Sequence, residues 1–450
     1  MRKDNGHIEW STYFGGHGSA VRNLDIDKYG RLLVTGHNLE DLPEHTVPLP
    51  TNAEQWPFTP FMQFGYMQAD AFVAIIQPDY QILWSTYIGG EGNDIGYSVR
   101  FGDNKIVVAG YAHSPSIPTL DAGNGGHFVN TLTGSHDAFI MEFDMNGNQL
   151  WGTYTGYRIA MGEQGLAVDQ ANGDVFLVGT IQSGILPVTT TAPWYDDTYV
   201  GNDDGVIMQF SGSDQSIRYA TYVSEYGLDE PRAVVVLPDG QFIVGGLTWD
   251  HQLQTKSLAG LYTEPSLMGV GDAFIMAFTA DHWLSWFTYF GGAEDHPNAH
   301  ADCIRTLALK GSSKLYAAGY TDAAYDQGEF FPLHDAGGGA WPDQTLDPET
   351  DGFVSAFCIQ NILTGVGDRP AEHNALAIAQ KADGQLQVWG LDARKHRYSV
   401  TDAVGRRVTE GTIQGGGQAF IPVGKLSEGA YVVQIDGYAA QRVLLINPAR

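Results

Sequence analysis

Residues 137–156 read DAFIMEFDMNGNQLWGTYTG. An apolar run opened by an aspartate, residues 137–143, is separated from a second run, residues 149–154, by Met145-Asn146-Gly147-Asn148. Asn and Gly accept the positive φ that a tight hairpin turn demands, so the two runs read as an antiparallel pair. Working outward, residues 95–101 and 105–111 add two more short runs that alternate or stay continuously apolar and β-branched. Four short strands therefore fill one unit.

The unit recurs at intervals of about 70 residues, the self-similarity that marks repeat architectures. The WGTYTG string at Trp151 has counterparts at Trp10 (WSTYFGG), Trp84 (WSTYIGG), Arg218 (RYATYV) and Trp286 (WFTYFGG). The Asp137 string returns at Asp70 (DAFVAII), Asp204 (DGVIMQF), Asp272 (DAFIMAF) and Asp351 (DGFVSAF). A third string closes on a small-residue pair at His37, Tyr111, Thr180, Gly246 and Tyr320. Four antiparallel strands repeated radially read as β-propeller blades. Residues 8–14 supply one WxTY strand before the first full set, and the last set stops after residues 351–358 without one. The spare strand completes the short set, giving five blades with no open sheet edge. Repeated Trp and Tyr inside strand patterns are expected in the core between blades. The Asp opening each DAF strand reads as a turn or capping residue, with a repeated ligand role as the alternative.

Composition fits this reading. The chain has 450 residues with 43% apolar, 12% aromatic and only 17% charged residues, and 56 Gly, which describes a globular, turn-rich β protein. Lys plus Arg is 24 and Asp plus Glu 52, a formal charge of −28, and the basic residues are scattered along the sequence. Nucleic-acid binding, which needs a concentrated cationic footprint, is not expected. No stretch approaches the ~18 apolar residues of a transmembrane helix. Residues 1–10 (MRKDNGHIEW) lack the apolar centre of an export signal. The two cysteines, Cys303 and Cys358, lack metal spacing and are expected to be buried free thiols.

The ordered motifs DAF[IV]xxF, WxTYxGG and [IV]xVxG resemble the bacterial β-propeller family known as SBBP repeats, over roughly residues 8–360. The resemblance implies an exported or surface-exposed propeller and no particular reaction. Departures are Arg218-Tyr219 in place of Trp, Thr155-Gly156 in place of Gly-Gly, and longer connections. Similarity to propellers with an [AV]-V-D-x-x-G-x-[IV]-x-V pattern places the strands at residues 20–26, 166–169 and 234–237 innermost, with WxTY outermost.

After residue 362 a Gly- and Pro-bearing linker, residues 363–372, leads to a stretch without propeller motifs. Alternating runs in residues 373–450 suggest a small antiparallel β-sandwich. YSVTDAVGR (398–406), LSEGAYVVQI (426–435) and the terminal RVLLI together resemble the C-terminal sorting domain of type IX secretion cargo, with Asp402, Gly405, Arg406, Gly429 and Tyr431 as motif residues. The family's usual Asn-Pro segment is replaced by IAQKADG. The resemblance implies recognition by a type IX translocon and its shuttle. It also implies an upstream signal, trimmed from this chain. Ordinary hairpin chemistry at Asp402 and Gly429 is the alternative.

The expected fold is thus all-β: a five-bladed β-propeller at 1–362 closed by its N-terminal strand, then the sandwich at 373–450. Long connections at 38–69, 112–136, 181–203, 247–271 and 321–350 exceed the usual length of about 2–6 residues and are expected on one face of the propeller. Their Trp56, Trp194, Tyr195, Trp249 and Trp341 are candidate ligand platforms. Segments following TYxGG carry Glu91, Asp94, Glu294, Asp295 and Asp302, oxygen donors suited to a hard cation such as calcium, although no DxDxDG string occurs. Asp295, His296, His300 and Asp302 form the densest group, and Pro297 interrupts any helix that would space the histidines as ligands. Solvated acidic loops are the alternative. No nucleophile elbow, phosphate loop or HExxH is present, so no catalytic residue is assigned. The expected function is noncatalytic binding or adhesion at the cell surface or outside it, with a glycan or surface protein as ligand. A polysaccharide-cleaving enzyme with two carboxylates at the propeller centre and an envelope scaffold are the alternatives.

Overall fold

A computed structural model describes residues 9–14, 19–39, 69–200, 203–224, 227–251, 253, 255–258, 261–292, 301–321, 331–333, 350–359, 377–380, 385–389, 395–402, 406–414, 419–423, 426–427, 429–435 and 441–445. Among them there is no helix, and hence none long and apolar enough to cross a membrane. The chain divides into two compact units, residues 1–367 and 368–450.

In the first unit, strands follow the repeat. The first sheet is β1 (Ala20–Ile26), β2 (Leu32–Leu39), β3 (Ala69–Ile76) and β4 (Ile82–Ile88), paired antiparallel in chain order. The second is β5 (Asp94–Phe101), β6 (Lys105–Ala112), β7 (Asp137–Asp144) and β8 (Gln149–Tyr154). The third holds β9 (Ile159–Val168), β10 (Val175–Ile181), β11 (Asp204–Phe210) and β12 (Ile217–Val223). The fourth holds β13 (Asp229–Val236), β14 (Phe242–Thr248), β15 (Asp272–Phe278) and β16 (Leu284–Phe290). The fifth has β17 (Cys303–Lys310), β18 (Lys314–Thr321) and β19 (Asp351–Cys358). β9 and β13 also meet in parallel at Gln164 and Ala233, joining the third and fourth sheets into one curled eight-stranded sheet.

The first strands of consecutive sheets pack side by side, β1 with β5, β5 with β9, β9 with β13 and β13 with β17. The WxTY strands β4, β8, β12 and β16 lie at the opposite edges. This is the radial layering of a β-propeller. Its core is the apolar fill between neighbouring sheets: Trp84 tilts onto Phe143, Trp151 onto Phe210 and Trp286 onto Phe357, each in the sheet that follows. Trp151 and Trp286 are fully buried, and truncating such a residue to Ala typically costs about 3–5 kcal/mol.

Residues 9–14 join no ladder in the structure, and among the described residues no fourth strand lies along the outer edge of β19. The segment is instead anchored by rings: Trp10 stacks on Tyr80 and Phe14 packs on Phe72, both in the first sheet. Val354 of β19 is 79% exposed although its counterparts Val73, Ile140, Ile207 and Ile275 are fully buried. Leu24 of β1 is 60% exposed where Val99, Leu166, Val234 and Leu307 are buried. The corresponding faces of the fifth and first sheets thus lack the cover their counterparts have. Cys358, expected to be buried, is exposed on that face of β19, while Cys303 is buried at the start of β17.

The second unit has two antiparallel sheets. β20 (Ala377–Gln380), β21 (Gln385–Trp389) and β24 (Ala419–Pro422) form one, in the order β20-β21-β24. β22 (Lys395–Asp402), β23 (Arg407–Gln414), β25 (Gly429–Ile435) and β26 (Gln441–Leu445) form the other, in the order β23-β22-β25-β26. Leu386, Val400, Ile421 and Val433 fill the core. β23 is weakly marked in sequence, because RVTEGTIQ has few large apolar residues to reveal its alternation. The linker at 363–372 lies outside the described residues.

Candidate functional site

The WxTY strand is built to hold a connection against the sheet's outer edge. In the second sheet, Trp151 Nε1 donates to His127 O (3.0 Å), Val129 N donates to Thr153 Oγ1 (2.8 Å), and Tyr154 Oη donates to Ser114 O (2.7 Å). The fourth sheet repeats the set: Trp286 Nε1 to Tyr262 O (2.9 Å), Glu264 N to Thr288 Oγ1 (2.7 Å) and Tyr289 Oη to Asp250 O (2.8 Å). In the third, Tyr219 takes the Trp place, donating to Trp194 O (3.0 Å); Asp196 N donates to Thr221 Oγ1 (2.8 Å) and Leu186 N to Tyr222 Oη (2.8 Å). The connections at 112–136, 181–203 and 247–271 thus run along outer edges and satisfy groups that would otherwise be exposed ladder donors and acceptors. They were expected to gather on one face. The Thr in the middle of each otherwise apolar strand is buried, and a buried hydroxyl needs a partner, which the docked connection supplies.

Docking of residues 194–200 against β12 creates a cleft of about 750 Å³. Its walls are Trp194, Tyr195, Asp196, Asp197 and Tyr199, with Met276, Leu284 and Phe287 of the fourth sheet below. Trp194 is fixed edge-on to Phe278 (5.2 Å), and Tyr195 is 41% exposed. Thr198 N donates to Asp196 Oδ1 (2.9 Å), and Tyr199 Oη donates to Gln182 O (2.9 Å). Burial, with Asp197 and Asp204 nearby, raises the Asp196 pKa above the ordinary carboxylate value. Rigid aromatic rings beside carboxylates and backbone amides suit an uncharged, hydroxyl-rich ligand.

Two of the five proposed platforms, Trp194 and Tyr195, therefore share one cleft. Trp249 packs with Leu228, Leu247, Ala301 and Cys303 instead, and Trp56 and Trp341 lie outside the described residues. Among the candidate metal ligands, Glu91 is exposed, and Glu294 and Asp295 lie outside the described residues. Asp94 is fully buried and accepts hydrogen bonds from Gly90 N (3.0 Å), Ser114 N (3.2 Å) and Ser114 Oγ (2.5 Å). Asp302, also buried, accepts from Gly292 N (2.8 Å). Both carboxylates clasp the turn that links one sheet to the next. Asp137 does the same, accepting from Gly156 N (2.5 Å) and Ile159 N (3.0 Å). Among the described residues no group of three His, Cys, Asp or Glu side chains is placed to hold a metal ion.

Burial pushes Asp94 up to about 6 and Asp229 up to about 7, and for Asp229 the carboxylates of Asp250 and Asp204 add to the rise. The inner-strand carboxylates sit among cations. Glu163 on β9 is ion-paired to Arg22 (3.4 Å) and Arg305 (3.6 Å), and Glu230 on β13 to Arg232. Basic residues scattered in sequence are thereby gathered on the inner strands. In the second unit Arg406 donates to Asp402 through N (2.9 Å) and Nε (3.0 Å), closing the turn after β22. Tyr431 Oη donates to Ser427 O (2.9 Å), and Gly429 opens β25 with φ +154°. Gly405 lies outside the described residues.

No family model and no curated protein matches this chain. Among solved structures it is similar to the Dos1 propeller, at 9% identity and a TM-score of 0.31, over 66% of this chain. The chain spans 65% of the length of that structure. It is also similar to the β-propeller domain of the Trilobed protease from Pyrococcus furiosus, described as having an open velcro topology, at 7% identity and a TM-score of 0.32, over 94% of this chain and 97% of that one.

Proposed function

We propose that this chain is a noncatalytic glycan-binding propeller of the SBBP kind, exported to the cell surface or beyond through a type IX-like route that reads the second unit. The cleft of Trp194 and Tyr195 carries the reading, because it offers ring faces and polar groups on a docked, rigid connection. Central catalysis is disfavoured by the ion pairs of Glu163 and Glu230. Glycoside cleavage needs two carboxyls free to flank the scissile bond, and both of these are already engaged by guanidinium groups. The ordered motifs resembling a sorting domain support the export part, with the translocon and shuttle as partners.

The propeller has five blades in this reading, and residues 9–14 close it as the fourth strand beside β19. Supporting this, Trp10 and Phe14 contact the first sheet as Trp84 contacts the second and Phe290 contacts Phe353 in the fifth. A glycan array with wild type and Y195A, with and without EDTA, tests the ligand. Binding lost in Y195A supports the cleft. Absence of binding, or release of reducing sugar ends by the wild type, overturns the reading. A signal lost in EDTA and restored by calcium but not by magnesium assigns calcium to the site.

A further inference from the structure

Each inner strand carries a β-bulge at the same level. The residue bulged out is Arg22 in β1, Tyr97 in β5, Arg232 in β13 and Arg305 in β17. β9 has a longer irregularity here, and its Glu163 occupies this level. A bulged residue leaves the ladder and re-aims its side chain, so one repeated irregularity turns this set of side chains toward a common space.

Two of these guanidinium groups, Arg22 and Arg305, meet the Glu163 carboxylate, and the third, Arg232, pairs with a second carboxylate, Glu230. Glu163 meets Arg22 at 3.4 Å and Arg305 at 3.6 Å, contacts longer than a good charge-assisted hydrogen bond. Arg305 has no other ion pair among the described residues and lies over the Tyr320 ring at 5.7 Å. Arg22 lies over Tyr97 at 5.9 Å. Arg232 pairs with Glu230, two residues away on its own strand, and its Nε is buried without an acceptor. Side chains of Arg22, Arg232 and Arg305 are 35%, 27% and 47% exposed, so they remain within reach of a solute. Guanidinium donors outnumber their acceptors, in a chain whose net charge is −28.

We propose that this axial ring is a second binding site, separate from the cleft, that takes the carboxylate of an acidic sugar in place of the Glu163 side chain. The planar fork of Arg matches a carboxylate, and two or three converging forks orient it. Tyr97 and Tyr320 hold the guanidinium groups in position and offer ring surface to a pyranose beside them. Glu163 acts as an internal plug, occupying the donors until a ligand displaces it.

Titration calorimetry with tri-galacturonate, its methyl ester and hexaglutamate tests the assignment, using wild type, R22Q, R305Q, E163Q and Y195A. The free acid is expected to bind at least about 10-fold tighter than the methyl ester, which keeps the sugar and loses the charge. R22Q and R305Q should each weaken it about 10-fold, while E163Q, lacking the competing charge, strengthens it. Y195A should leave it unchanged. Equal binding of acid and ester, weakening in E163Q, or no binding at all overturns the proposal. Tighter binding of hexaglutamate overturns the assignment to a sugar. Loss confined to Y195A moves the ligand to the cleft and leaves the proposed function standing, whereas axial binding with an empty glycan array does the reverse. Thermal melting of R22Q and R305Q close to wild type is the folding control, since partly exposed ion pairs contribute little stability.

Discussion

Trp10 stacks on Tyr80 with ring centroids 5.0 Å apart and planes 6° from parallel. Tyr80 has φ +68° in the turn between β3 and β4, the place held by Gly147 in the second sheet and by His282 in the fourth. Tyr219 stacks on His282 in the same way, at 4.2 Å. Adding a Cβ to Gly147 would drive it to within 2.0 Å of Trp84 Nε1, so there too the indole lies against the turn. Trp10 therefore sits where the outer strand of a preceding sheet presents its aromatic residue.

The proposed closure by residues 9–14 predicts a cross-link. Pairing in the fourth sheet sets Met276 opposite Phe287, and the same register sets Ser355 opposite Ser11. In a C358S background, which removes the exposed native thiol, S11C/S355C should oxidise to an intramolecular disulfide and raise the melting temperature. Mass spectrometry of non-reduced peptides reads the bond. Two free thiols after oxidation would mean that the leading segment stays away from β19.

Lys105 and Glu142 form a buried ion pair at 2.5 Å, and Gln215 Nε2 from the third sheet also donates to Glu142 (3.2 Å). Burial raises the Glu142 pKa and Lys105 opposes the rise, so removing the lysine strands a carboxyl in the sheet interface. K105M should lose about 3–5 kcal/mol in urea denaturation. K105M/E142L should recover most of it, and a double variant no better than K105M would show that the pair has no mutual role.

Strand order and the inter-sheet place of Trp84, Trp151 and Trp286 were legible because period and turn chemistry are local. The docking of 112–136, 181–203 and 247–271 was less so. Its hydrogen bonds span 24 or 25 residues, and the receiving Thr153, Thr221 and Thr288 sit unmarked inside apolar strings. Trp249 looked like Trp194 in sequence, yet only Trp194 lines the cleft, since packing against Leu228 and Ala301 is set by the fold. The axial arginines were invisible because a bulge is a two-strand property, and their sequence neighbours give no hint of which residue leaves the ladder.

Asp229 predicts a pH dependence. It is fully buried, and burial, with the carboxylates of Asp250 and Asp204 nearby, raises its pKa from 3.8 to about 7. Between those values the folded chain keeps a proton that the unfolded chain releases, so this group's contribution to stability falls as pH rises from about 4 to about 7 and is flat above. D229N removes the ionisation. Relative to wild type it should gain on the order of 4 kcal/mol at pH 8 and little at pH 4. His127 and His282, half-buried and shifted downward by desolvation, bend both curves alike. Urea denaturation at both pH values gives the difference, and an unchanged difference between pH 4 and pH 8 would assign Asp229 an ordinary pKa.

One hydroxyl at the cleft wall makes two bonds that a single substitution removes. Thr221 Oγ1 accepts from Asp196 N at 2.8 Å and donates to Tyr222 O at 3.0 Å, which ties the Trp194–Val200 segment to β12. T221V keeps the branched shape and removes both bonds, leaving a peptide N–H without its acceptor at a cost of about 1–3 kcal/mol. T153V does the same to Val129 in the second sheet, away from the cleft. Both variants should therefore melt earlier by similar amounts. Only T221V should loosen the Trp194 wall, increasing acrylamide quenching of the part of the fluorescence that W194F abolishes, and weakening glycan binding. Equal quenching in the two variants would show that the segment is held by its ring contact with Phe278 rather than by the threonine.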